Sequence, residues 1–117
     1  MIGSRRRASE ADFHLMRDAF TKIYEEGDSI VSGGCPTGGD QFAEVIAGEF
    51  NLTVENKKLI IHYPDWENRG RIAGFERNTD IARDGDIFIA LVAEDRTGGT
   101  EDTINKARRL KKEVVLI

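Results

Sequence analysis

Strand-length apolar runs alternating with amphipathic helical stretches predict an α/β fold class: a Rossmann-like three-layer sandwich with a mainly parallel sheet of about five strands, the first truncated. Three observations predict it. Apolar runs of strand length recur at Ser29–Ser32, Lys58–Tyr63, Asp86–Val92 and Glu113–Ile117. Helical periodicity fills the intervals between them. Glycine-rich loops fall where strands hand over to helices, which is where open parallel sheets bind ligands.

Met1-Ile2 is the stub of a first strand. A strand at that place lies mid-sheet, so its shortness raises the question of how its neighbours' backbone groups are satisfied. An upstream continuation, a strand from a partner chain, or sufficiency of the stub are all open readings. Ser9 to Glu26 has helical spacing, with Phe13, Met16, Phe20 and Ile23 on one stripe. Ser9 followed by Asp12 resembles a capping box, and Gly27 reads as the stop. Asp40 to Phe50 is a second helix with Phe42, Val45, Ile46 and Phe50 inward. Arg69 to Arg83 is a weaker helix interrupted by Gly70 and Gly74, with Gly85 as its stop. Asp86–Val92 is an apolar run after its first residue, as expected for a strand covered on both faces. Thr100 to Lys111 is a fourth helix with Ile104, Ala107 and Leu110 inward. The stretch Glu113–Ile117 closes the sheet.

A chain of 117 residues makes one domain, 1–117, with one core. Apolar residues at 39% and charged residues at 32% suit a globular, cytoplasmic protein. A net charge of −4 argues against nucleic acid as a partner. No apolar run reaches the length of a membrane span, and the basic start lacks the apolar segment of a secretory signal. The single cysteine, Cys35, allows no intrachain disulfide. No metal-ligand spacing is present, and no cofactor is required.

The site expectation rests on the glycines. Gly33, Gly34, Gly38, Gly39, Gly98 and Gly99 all fall after strands, and Gly3 joins them after the stub. In a parallel sheet these loops emerge on one edge. Glycines let a backbone approach a ligand closely, and helix N-termini favour an anion such as phosphate. Thr100 adds a hydroxyl, either as a phosphate donor or as a helix cap. Arg5 and Arg77 are candidates to pair with the anion, whereas Arg6 and Arg7 read as a solvated face. Asp40 caps its helix, accepts from a ribose or base, or does both. Trp66 either stacks on a base or covers the sheet edge. His62 reads as a strand-end residue.

Taken in order, Gly3-Ser4-Arg5, Ser32-Gly33-Gly34 with Gly38-Gly39-Asp40, Pro64-Asp65-Trp66, Ala73-Gly74 with Arg77-Asn78, and Gly99-Thr100 resemble the SLOG superfamily. This is the Rossmann-like group of the DNA-processing Smf/DprA proteins and the cytokinin-activating LOG proteins. The nearest branch is the small single-domain YspA-like, YpsA-related one. The resemblance spans nearly the whole chain. It implies a nucleotide-type small-molecule ligand held by Gly3, Ser4, Arg5, Gly33, Gly34, Gly39, Asp40, Arg77, Gly99 and Thr100. The LOG hydrolases carry Pro-Gly-Gly-x-Gly-Thr-x-x-Glu, whose Glu is associated with catalysis. Here Thr103 stands in that place, and a threonine cannot act as a carboxylate base. Glu101 and Asp102 are the weak substitutes for it. The leading expectation is therefore a module that senses or sequesters a nucleotide. An N-glycosidic hydrolase and a DprA-type DNA-associated module are the alternatives. A homo-oligomer stays open.

Overall fold

The structure is a computed structural model that describes residues 1–117. Five strands and five α-helices alternate along the chain. They are β1 (Ile2–Gly3), α1 (Glu10–Ile23), β2 (Ile30–Ser32), α2 (Gly39–Glu49), β3 (Leu59–Ile61), α3 (Trp66–Arg69), α4 (Ala73–Asp84), β4 (Ile87–Leu91), α5 (Gly99–Arg109) and β5 (Glu113–Leu116). A 3₁₀ turn, Gly70–Ile72, joins α3 to α4. Every strand pair is parallel, so the chain is of the α/β class.

The expected single sheet of about five strands is corrected. Three strands pair in the order β1-β4-β5, and β2 pairs separately with β3. The reason is the length of β1. Its two residues lie opposite Ala90 and Leu91 of β4, and toward β2 only the Met1 ammonium reaches out, donating to the Val31 carbonyl at 3.1 Å. One such bond does not make a ladder. Burial pushes that ammonium down to about 6, against the attraction of Asp40.

Strand β4 organises the core because its side chains alternate between faces. Ile89 and Leu91 join Met16, Phe20, Phe42 and Ile46, from α1 and α2, in one apolar cluster. Phe88 and Ala90 join Ile81, Ile104 and Ala107, from α4 and α5, in the other. Two of the positions expected to face inward do not. Val45 is 41% exposed and Leu110 is 53% exposed, because each sits at the margin of its helix stripe. The third helix is also split: Gly70, at φ +57°, breaks it into α3 and α4. Gly85 does follow α4, but at φ −77° it is no left-handed stop. A side chain there would meet the Phe88 ring at 2.7 Å, so packing demands the glycine. No helix is long and apolar enough to cross a membrane.

The capping box at the start of α1 is present in both directions. Asp12 N–H donates to Ser9 Oγ at 3.1 Å, and Ser9 N–H donates to Asp12 Oδ2 at 3.2 Å. Arg7 Nε donates to the same carboxylate at 2.7 Å and also reaches the carbonyls of Val92 and Ile117. Arg7 is thus a structural tie and not a solvated residue. Burial works against the charge of Asp12, but Arg7 and Ser9 overcome it and hold the carboxyl below its usual value of 3.8. The folded chain therefore takes up this proton less readily than the unfolded one. The contribution is complete above the usual carboxylate value and is lost as pH falls through the folded value. Asp12→Asn is expected to cost about 1–2 kcal/mol at neutral pH. Thermal unfolding followed down to about pH 2.5 should show the gap to wild type closing below about pH 4. A gap that stays constant with pH would remove Asp12 from the acid response.

Candidate functional site

The strand-to-helix loops after β1, β2 and β4 surround a cleft of about 290 Å³. Of the residues expected from the sequence, Gly3, Ser4 and Arg5 line it from the first loop. Asp40 comes from the start of α2, Arg77 and Asn78 from α4, and Gly98, Gly99 and Thr100 from the start of α5. Residues of one parallel edge, far apart in the chain, thus meet as the topology requires.

The remaining expected residues do not line the cleft, and each has a packing explanation. A side chain on Gly39 would lie 2.5 Å from the Gly3 nitrogen, so this glycine lets α2 approach β1. Gly38, at φ +74°, faces the Ser4 carbonyl, and Gly33 faces the Arg77 guanidinium and the Asp40 carboxylate. Gly34 lies under the Tyr63 ring. Trp66 is 53% exposed and covers Gly74, away from the cleft. Glu101 is turned to Arg96, with two contacts of 2.9 Å. Asp102 is taken by Asn78 at 3.2 Å and Lys106 at 2.9 Å. Neither carboxylate lines the cleft.

The floor of the site is a polar network. Arg77 donates to the Gly33 carbonyl and, at 3.0 Å, to Asn78 Oδ1. Its guanidinium is 4.0 Å from Asp40 Oδ2, and both side chains are largely buried. The same Asp40 oxygen accepts the Cys35 N–H at 3.1 Å. Asn78 Nδ2 donates to the Gly99 carbonyl at 3.2 Å, which ties α4 to the first turn of α5. No side chain caps α5, whose N-cap is Gly98 at φ +102°. Around Gly98 a side chain would meet nothing within 4 Å, and around Gly99 only Asn78 Nδ2, at 3.8 Å. These two glycines therefore answer to open space, unlike those of the second loop.

Six lining residues were not among those expected there: Ile2, Ile81, Arg6, Thr97, Cys35 and Thr103. Arg6 clamps the first loop to the last, donating to Asp95 at 2.7 and 2.9 Å and to Thr97 Oγ1 at 3.1 Å. Arg6 and Thr97 hold the Asp95 carboxyl well below the usual carboxylate range. Thr97 lines the cleft beside Arg6. Cys35 lines it too, next to Asp40. Thr103 is 2% exposed, lines the cleft and donates to the Gly99 carbonyl at 3.4 Å. The resemblance to the LOG motif had already marked this position, four residues after Gly99, as that of the motif's Glu. Arg5 makes no ion pair or side-chain hydrogen bond, which leaves its charge available at the rim. The arrangement offers an anion the amides at the α5 start, the Thr100 hydroxyl and Arg5. It offers hydroxyl donors the carboxylate of Asp40.

Comparison of the chain with protein-family models, with curated proteins and with solved structures returns no match.

Proposed function

We propose that the chain is a SLOG-like, Rossmann-type three-layer domain of the cytoplasm that binds a nucleotide or nucleotide-derived ligand, to sense or to sequester it. One observation carries this reading: an uncapped helix start bearing Gly98-Gly99-Thr100, an unpaired Arg5 and the buried Asp40 converge on one cleft. A helix start with open glycines suits phosphate, and a buried carboxylate suits sugar hydroxyls. Hydrolysis of an N-glycosidic bond finds less support. That chemistry needs a carboxylate free to serve as acid or base: α5 presents Thr103 to the cleft, Glu101 and Asp102 are paired elsewhere, and the Asp40 carboxylate is held by the Cys35 N–H beside Arg77.

A thermal-shift panel of mononucleotides, NAD, ADP-ribose and cyclic nucleotides tests the reading. A ligand at about 100 times its Kd adds roughly 2.7 kcal/mol, a rise in Tm of about 10 °C for a domain of this size. Gly99→Asp should abolish the shift while unfolding within a few degrees of wild type, since that position has room. No shift with any member of the panel, on folded protein, would overturn the proposal.

A further inference from the structure

The shortness of β1 leaves a groove inside the sheet, away from the cleft. β1 begins opposite Ala90, so no strand lies between β2 and the first half of β4. The space there is a groove of about 330 Å³, at the edge where α1 and α4 end and β2 and β4 begin. We propose that this groove docks an extended segment of another polypeptide, basic residues first and then apolar ones, as a strand parallel to β2 and β4.

Two walls of the groove are strand edges. Along β4 the Ala90 carbonyl accepts the Ile117 N–H at 2.9 Å on one side, and the Leu91 carbonyl accepts the Ser4 N–H at 2.8 Å on the other. Successive residues of a strand turn their main-chain groups to opposite edges, so Ile87 and Ile89 turn theirs to the side of Leu91. With no strand beside them, the Ile87 carbonyl and the Ile89 N–H face the groove. Along β2 the Ile30 N–H donates to Lys58 and the Ser32 carbonyl accepts from His62, both toward β3. Val31 therefore faces the groove. Its carbonyl takes the Met1 ammonium, which leaves its N–H. Donors and an acceptor on two facing strand edges are met together by one extended backbone laid between them.

The other two walls set the side chains. Phe20 and Ile23 of α1, with Tyr24, cover one face, and Ile60, Ile81 and Phe88 cover the other. A strand covered on both faces is apolar on both. The mouth is acidic, lined by Asp28, Asp84 and Asp86. Asp84 is shared with His62 and Arg83, whereas Asp28 and Asp86 are exposed and make no ion pair. Lys58 and Lys112 are turned to the carbonyls of Gly27 and of Ala82 and Arg83, and not to these carboxylates. A segment parallel to β2 has its N-terminal part at this mouth, so its cations precede its apolar residues.

Fluorescence anisotropy of the full chain with two labelled peptides, Lys-Lys-Val-Ile-Val-amide and Ser-Ser-Val-Ile-Val-amide, tests the proposal. The lysine peptide should bind with a Kd below about 1 mM, and methylating the amide nitrogen of its last valine, which would donate to Ile87, should weaken it more than about tenfold. Asp86→Lys, at an exposed position, should weaken the lysine peptide about threefold or more and leave the serine peptide unchanged. Val-Ile-Val joined ahead of Met1 in the chain itself should remove peptide binding, because the joined segment fills the groove. No binding of either peptide at about 1 mM, tolerance of the methylated nitrogen, or unchanged binding by the extended chain would each overturn the proposal. An Asp86→Lys chain that binds both peptides as wild type does would overturn the basic part of it.

Discussion

Gly39→Ala is expected to destabilise the protein by about 3 kcal/mol, lowering Tm by roughly 10 °C or more. The added methyl carbon would lie 2.5 Å from the Gly3 nitrogen, 2.6 Å from the Ile2 carbonyl carbon and 2.7 Å from the Gly3 Cα. All three are backbone atoms of β1, in the middle of the fold, so no rotamer change relieves the overlap. Either α2 moves away from the strand or β1 shifts against β4, and both loosen the cluster around Phe42, Ala43 and Ile46. Alanine gains at most about 1 kcal/mol of helix propensity over glycine, too little to compensate. Gly99→Ala is the matched control. It also opens a helix, but its methyl meets only Asn78 Nδ2, at 3.8 Å, so stability should stay within about 0.5 kcal/mol of wild type. Urea unfolding of the two variants decides. Equal stabilities would mean that the β1–α2 approach is not a constraint.

Arg77→Met should cost about 2–3 kcal/mol although it keeps most of the side-chain volume. The guanidinium holds together three segments, through the Gly33 carbonyl after β2, Asn78 Oδ1 on its own helix and the Asp40 carboxylate at the α2 start. Methionine fills the space but leaves the Gly33 carbonyl without its donor and the largely buried Asp40 carboxylate without its counter-charge, held by the Cys35 N–H alone. Removing one partner from a buried pair is more costly than the net worth of the pair. The 4.0 Å separation from Asp40 keeps the estimate below that of a close ion pair. Placing Asp40→Asn on the Arg77→Met background should recover part of the loss, because the residual carboxylate is then neutral. A double-mutant cycle should give a coupling of about 1 kcal/mol or more. Strict additivity would show that Arg77 acts only through Gly33 and Asn78.

Much of the domain was legible because its causes are local. The order of strands and helices follows from hydrophobic period, which each segment carries by itself. The Ser9–Asp12 capping box spans four residues, and the box that this pair resembles is present. Asp40, Arg77, Asn78 and the Gly98–Thr100 loop were expected at one edge, and they do share one cleft. Boundaries and margins were less legible. Val45 and Leu110 are apolar on an otherwise suitable stripe, and only the reach of the neighbouring elements leaves them exposed.

The sequence by itself determined the α/β alternation, the parallel pairing it implies and the collection of glycine loops at one edge. Tertiary structure decided what each glycine is for. Gly3 and Gly39 answer to each other, Gly34 to Tyr63 and Gly85 to Phe88, whereas Gly98 and Gly99 answer to open space. It also decided that Arg7 is a half-buried tie and Arg6 a clamp between loops, where these two arginines suggested only a solvated face. The physical reason is the same in each case. A glycine or an arginine announces a capacity, for close approach or for donating hydrogen bonds, and the residue that uses it lies tens of positions away in the chain.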